Sequence, residues 1–269
     1  MVPVGAAHVT SWTPASPHEK VFLLLFLQKK QSLPFFSHRI PMTKDTQKRL
    51  AAEQAASLVE DGMVVGLGTG STATFFIDSL IARARDGLRI VCIPTSERSA
   101  AQARAGGLQL VDFGTHPVID LTIDGADEIK RDTLDLVKGL GGALLREKIV
   151  ASASRRLVII ADTSKLVDWL GTTAPVPVEV TRFGWEATRE KLRATGAGIT
   201  QRMAADGQPY VTDGGNFILD LKFEAIADAA KLNDQIRRVT GVVETGLFVG
   251  MAEMALVADE AGVTRFHPA

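Results

Sequence analysis

At 269 residues the chain has room for one large domain or two modest ones, and 46% hydrophobic with 23% charged residues is the composition of an ordinary globular protein. A formal net charge of −1 leaves no excess positive field, which argues against nucleic acid as the main ligand but is compatible with a local basic pocket for one phosphate. The single cysteine, Cys92, excludes an intrachain disulfide and a cysteine-based zinc site.

Residues 1–41 differ from everything after them. Five of the 11 prolines fall there (Pro3, Pro14, Pro17, Pro34, Pro41), with His8, His18 and His38, and amphipathic periodicity is absent. The apolar stretch Val21-Phe-Leu-Leu-Leu-Phe-Leu27 is far too short to span a bilayer. Glu19 just before it and the lack of a small-residue cleavage pattern speak against a signal peptide, and the scarcity of arginine against a transit peptide. A disordered leader is expected, or an upstream start with Met42 as the effective beginning.

From Met42 the pattern becomes regular. Residues 43–60 predict a helix, with Leu50, Ala51, Ala55, Leu58 and Val59 on one face and Asp61-Gly62 as its stop. A short buried strand at 63–66 runs through a glycine-rich turn into a helix ending near Arg83. A strand at 88–93 follows, in which Cys92 reads as a buried residue and not a nucleophile. Ser96 caps the next helix and Gly106-Gly107 ends it. Strands are expected at 108–112, 119–123 and 157–161, and a helix at 141–154. Strands alternating with helices at this spacing imply an α/β architecture, a mainly parallel sheet with helices on both faces.

After Gly171 the texture changes. Strand 175–180, helix 185–194, strand 199–203, a strand pair at 210–212 and 217–223, and a helix at 226–238 suggest a smaller α+β domain. Phe217, Leu219, Leu221 and Phe223 alternate with Ile218, Asp220 and Lys222 as in a half-buried strand. The apolar segment 246–258 is expected to return to the first domain. The expected boundaries are 42–170 with 244–269 for the α/β domain and 171–243 for the smaller one.

Four segments are able to carry chemistry. Gly66-Leu-Gly-Thr-Gly-Ser-Thr72 lies between a strand and a helix, where backbone N–H groups and the helix dipole make an anion site. A dinucleotide fingerprint fails there, because Ser71 holds the third glycine position and no acidic residue ends the second strand; a nucleotide P-loop fails for want of Gly-Lys-Ser/Thr. A mere tight turn remains the alternative. Asp120-Leu-Thr-Ile-Asp-Gly-Ala-Asp-Glu128 delivers Asp124, Asp127 and Glu128 to a strand's C-terminal end, where crowded carboxylates raise one another's proton affinity. A cation site or a solvated acidic turn is the other reading. Lys138-Gly-Leu-Gly-Gly-Ala-Leu-Leu-Arg-Glu-Lys148 again places glycines before a helix, although Arg146-Glu147-Lys148 would ordinarily be a solvated face. Ala161-Asp-Thr-Ser-Lys165 puts a lysine beyond another strand end. His116 is the one histidine between the leader and His267, so any proton chemistry near neutral pH falls to carboxylates and lysines.

Taken in order, these segments resemble the ribose-5-phosphate isomerase type A family. The resemblance runs from Met42 to about Asp259 and includes Thr212-Asp-Gly-Gly-Asn-Phe217 and Gly241-Val-Val-Glu-Thr-Gly-Leu-Phe248. Two positions depart from it: Leu140 replaces a glycine of the usual Lys-Gly-Gly-Gly run, and Gly214 stands where asparagine is common. The resemblance implies a Rossmann-like sheet with a smaller α+β domain, and interconversion of D-ribose 5-phosphate and D-ribulose 5-phosphate through an enediolate. It implies Glu147 as the general base, with Asp124, Asp127 and Lys138 also catalytic. It implies substrate contacts at Thr69, Gly70, Ser71, Thr72, Asp124, Gly125, Ala126, Asp127, Lys138, Gly139, Leu140, Gly141, Lys165 and Lys48. No metal or cofactor is expected, and the partner is a small pentose phosphate, with neither nucleic acid nor membrane. A cytoplasmic homodimer or homotetramer is implied. An amino-sugar-phosphate deaminase or phosphosugar lactonase would want a well-placed histidine, and a non-catalytic sugar-phosphate sensor would bring a DNA-binding module that is not visible.

Overall fold

The structure, a computed structural model, describes residues 42–269. The expected leader lies outside the described residues. Helix α1, Lys44–Ala56, begins at Thr43, whose hydroxyl accepts the Thr46 N–H at 3.2 Å, and it buries Ala51, Ala52, Ala55 and Ala56. The chain continues through β1 Val64–Leu67, α2 Ser71–Arg85, β2 Val91–Pro94, α3 Glu97–Ala105, β3 Gln109–Leu110 and β4 Leu121–Asp124. Then come β5 Glu128–Lys130, β6 Leu136–Val137, α4 Leu144–Ser152, β7 Leu157–Asp162 and β8 Leu166–Val167. The rest is β9 Val176–Val180, α5 Trp185–Leu192, β10 Gly198–Gln201, β11 Phe217–Lys222, α6 Ala229–Arg237, β12 Val242–Thr245, β13 Leu247–Phe248, β14 Met254–Asp259 and β15 Gly262–Phe266.

Seven strands form the central sheet in the order β15-β14-β7-β4-β1-β2-β3, parallel except for β15, which pairs antiparallel with β14. The chain winds outward from β1 through β2 to β3, then crosses to β4 and winds the other way through β7 to β14. The switch point lies between β1 and β4, and a crevice outside their C-terminal ends is where such sheets bind ligands. Val65, Leu67, Leu121, Ile123, Val158 and Ile160 face α1, α2 and α3 in one core.

The opposite face carries a helix too, as expected, and a second sheet beside it. Among the described helices α4 packs there, with Val150 against Ile93 and Ile119. The remainder is closed by a second sheet, β13-β6-β5-β8, whose Ile129, Leu136 and Phe248 meet Ile159, Ala255 and Val257. Strands of two or three residues are too short to show a period, so this sheet had no sequence signal.

The smaller α+β part is an antiparallel sheet, β10-β11-β9-β12, with Leu192 and Ile236 bringing α5 and α6 onto it. The expected strand at 210–212 is absent. Only an isolated bridge, Met203 to Pro209, forms there, since Pro209 has no N–H to donate and Thr212 closes a tight turn onto Asn216. In β11 both Ile218 and Leu219 are buried, so its two faces are less unequal than the alternation suggests.

Candidate active site

Three segments meet at the ends of β1 and β4. In the first glycine turn, a Cβ on Gly68 would lie 2.3 Å from Asp124 Oδ1, so only glycine allows this approach. Asp124 Oδ1 accepts the N–H of Thr69 at 3.0 Å and of Gly125 at 2.7 Å, tying the two loops together. The Thr69 hydroxyl is taken up by Thr95 and Ser96, each at 2.7 Å. Gly70, at φ +114°, leads into α2 with no side-chain cap, leaving the positive end of a 15-residue helix facing the crevice with Ser71 and Thr72.

The expected catalytic groups lie just below. Lys138, which follows β6, is 2% exposed; Asp124 is 1% and Glu147 3%. The Lys138 Nζ sits 3.0 Å from Asp124 Oδ2 and 3.4 Å from Glu147 Oε2, and donates to the Gly125 carbonyl at 2.5 Å. Burial disfavours the Lys138 cation, but the Asp124 and Glu147 carboxylates reverse this and hold the ammonium above the usual lysine range. For Glu147 burial dominates: it pushes the carboxyl up to about 8, against the pull of Lys138 and aided by the charges of Asp124 and Asp127. Its Oε2 is close enough to Lys138 for an ion pair yet is left without any hydrogen-bond donor. Asp127 is also raised by burial, opposed first by the Leu140 N–H, which reaches its Oδ2 at 2.9 Å, and then by Lys138, Lys165 and Arg202.

A cavity of about 210 Å³ opens over these groups. Of the expected residues, Lys48, Thr69, Gly70, Ser71, Thr72, Gly125, Ala126, Asp127, Lys138, Gly139, Gly141, Glu147 and Lys165 line it. Two stand apart. Asp124 is not part of the lining, being buried beneath it as the partner of Lys138. Leu140 also stays out, being 43% exposed, and its N–H reaches Asp127. The loop tolerates a side chain at 140 because the left-handed conformations fall on Gly139 (φ +103°) and Gly142 (φ +83°). Glu128, grouped with Asp124 and Asp127 in sequence, turns away and binds the 171–174 loop.

Lys44, Asp162 and Ser164 line the cavity without having been expected. Lys44 was legible in principle, one helical turn before Lys48 and so on the same face. Asp162 ends β7 beside β4 and accepts the Ser164 N–H at 3.0 Å, shaping the turn that carries Lys165. Cys92 is buried in β2, where desolvation pushes its thiol up to about 12 and leaves it inert. Among the described residues no group of three or more His, Cys, Asp or Glu is arranged to hold a metal, and no helix is long and apolar enough to cross a membrane.

A proton-retaining carboxylate beside a fixed ammonium, at the switch point of a parallel sheet and under a lysine-rich cavity, defines an acid–base enzyme for a small anionic substrate. The sequence profile of the family described as ribose 5-phosphate isomerase A (phosphoriboisomerase A) matches residues 91–262. The ribose-5-phosphate isomerase A of Gloeobacter violaceus is 56% identical over 227 residues, covering 84% of this chain and 98% of its own. The solved ribose 5-phosphate isomerase A of Methanocaldococcus jannaschii superposes with a TM-score of 0.81 at 37% identity, covering 84% of this chain and all (100%) of the other. A D-ribose-5-phosphate isomerase solved in complex with phospho-erythronic acid gives 0.82 at 36% identity, with coverages of 84% and 100%. The chain belongs to the ribose 5-phosphate isomerase A family, and it interconverts ribose 5-phosphate and ribulose 5-phosphate.

Proposed function

We propose that Glu147 carries the proton between C1 and C2 of the open-chain pentose, taking it from one carbon and returning it to the other on the same face of a cis-enediolate. The observation that carries this reading is the buried Glu147 Oε2, without a hydrogen-bond donor, 3.4 Å from a cationic lysine. A carboxyl held near 8 is populated in both protonation states close to neutral pH, as suits a group that accepts and then gives back one proton. Lys138, with N–H groups of the glycine loop, faces the oxygen that becomes negative. Asp127 lines the cavity and handles hydroxyl protons, including those of ring opening. Asp124, withdrawn beneath the cavity, keeps Lys138 charged and the Thr69 and Gly125 backbones in place.

The phosphate end of the substrate is assigned to the α2 N-terminus with Ser71 and Thr72, and to Lys44, Lys48 and Lys165. Binding energy gathered there positions the reacting carbons. The division into 42–170 with 244–269 and 171–243, the homodimer or homotetramer, and the cytoplasmic location belong to the same proposal and are supported by the family resemblance.

Glu147→Gln tests the reading. Isomerisation is expected to fall by about 10³-fold in kcat, within the range for a positioned acid–base group. Binding of phospho-erythronic acid, the ligand of the solved relative, should persist within about fivefold, since the phosphate and hydroxyl contacts remain. Turnover close to that of the unaltered chain would remove Glu147 from this role.

A further inference from the structure

The glycine loop 138–142 is gripped from the small sheet by a side chain with no assigned part in the reaction. Arg202 follows β10, and its side chain is 13% exposed. Its Nε donates to Asp220 Oδ2 at 2.9 Å and its Nη2 donates to Asp220 Oδ1, a two-point pairing that fixes the plane of the guanidinium. The remaining nitrogen, Nη1, donates to two consecutive carbonyls, Gly139 at 2.8 Å and Leu140 at 3.0 Å.

Across a trans peptide the carbonyl and the following N–H point in opposite directions. Two carbonyls turned towards Arg202 therefore turn the N–H groups of Leu140 and Gly141 away from it. The first meets Asp127 Oδ2 at 2.9 Å, and Gly141 lines the cavity beside Lys138. With Gly139 and Gly142 both at positive φ, the loop's sequence allows it wide conformational freedom; the Gly142 N–H closes a turn onto the Gly139 carbonyl at 3.0 Å, and Arg202 adds a hold on that carbonyl and the next from outside the loop.

We propose that Arg202, oriented by Asp220, is a positioning residue for the isomerisation: it sets two successive peptides of the 138–142 loop so that the Leu140 N–H holds Asp127 in the cleft and the Gly141 N–H faces the oxygen that becomes negative. This rests on the acid–base reading of the cleft given above. A merely structural cross-link between the small sheet and the loop would show in folding stability alone.

The experiment compares Arg202→Gln and the charge-keeping Arg202→Lys with Glu147→Gln, each by steady-state kinetics across pH and by thermal unfolding. Arg202→Gln should lower kcat by about tenfold or more, as expected for a disturbed oxyanion donor, with KM within about threefold. Arg202→Lys should recover little, because one ammonium cannot satisfy Asp220 and both carbonyls. The acid limb of the kcat profile should move to higher pH in both variants, because Asp127 loses the N–H that opposes its burial; Arg202→Gln also removes the Arg202 charge, so the shift in the charge-keeping Arg202→Lys is the one that reports the N–H. Where Arg202→Gln does not fold, Arg202→Lys carries the same readouts. An unchanged kcat in folded protein overturns the proposal, and so does a loss of activity that follows the unfolded fraction while the pH profile stays in place. An active Glu147→Gln would instead overturn the proton-shuttle reading, whereas an inactive Glu147→Gln beside a fully active Arg202→Gln overturns only the positioning role.

Discussion

Glu128 and Glu147 are withdrawn from solvent almost equally, at 0% and 3% exposure, yet their surroundings differ in kind. Glu128, at the start of β5, accepts the N–H groups of Gly171, Thr173 and Ala174 and the Thr173 hydroxyl, so the turn before β9 is built around its carboxyl oxygens. Glu179 in the small sheet is similar, its Oε1 accepting from Thr212 and Asn216 at 2.9 Å each. Glu147 differs: its Oε2 has the Lys138 ammonium at 3.4 Å and no donor in good hydrogen-bonding geometry. A buried carboxylate surrounded by donors is a fastening. One left short of donors keeps affinity for a proton and is able to exchange it. Burial alone does not separate Glu147 from the other two; the shortage of donors at its Oε2 does.

The two carboxylates should therefore fail in opposite ways. Glu128→Ala leaves four donors of the 171–174 turn unpaired and should cost about 3 kcal/mol or more of folding stability, read by denaturant unfolding. Its kcat per folded molecule should stay close to that of the unaltered chain, the reverse of Glu147→Gln. A large kcat loss in folded Glu128→Ala would erase the distinction.

Stability against pH gives a finer separation. The folded-state pKa of Glu147 lies above its ordinary value of 4.5, at about 8, so the folded protein holds a proton that the unfolded chain releases. The stability linked to that proton is fully present below pH 4.5 and is lost as pH rises through about 8. Glu147→Gln cannot lose it. The melting temperature of the variant relative to the unaltered chain should rise steadily across this interval, and a flat difference would contradict a raised Glu147.

Leu140→Gly should change least. Leu140 is 43% exposed, its backbone is not in the left-handed region, and the N–H that holds Asp127 remains. A kcat within about twofold is expected, as for a surface substitution away from strained or buried features. A larger change would mean that the side chain restrains the loop, and with it the oxyanion side of the cleft. Gly214, the other departure, has an allowed φ and room for a Cβ at 3.4 Å from Glu179, so nothing local demands glycine there.

Much of the frame was legible in the chain. The alternation of helices and strands, the two glycine turns and the carboxylates at the end of β4 are enough to place the crevice. The triplet Arg146-Glu147-Lys148 was not readable in the same way, since three successive charges on a helix ordinarily face water. In the structure they enter three environments. Arg146 pairs with Glu97 at 2.8 Å near the surface, Glu147 is buried beside Lys138, and Lys148 donates to Glu244, Thr245 and Leu247. Only the family resemblance singled out the middle one.

What the sequence determined by itself is what neighbouring residues enforce: the helix and strand periods, the glycines where Asp124 must approach Gly68, and the capping by Thr43 and Ser96. Only the tertiary structure decided which charges lost water and which donors reached them. Those partners come from far along the chain, Lys148 meeting a strand 96 residues away and Arg202 a loop 63 residues away. Proton affinity depends on the whole dielectric and charge environment so assembled, which no local pattern encodes.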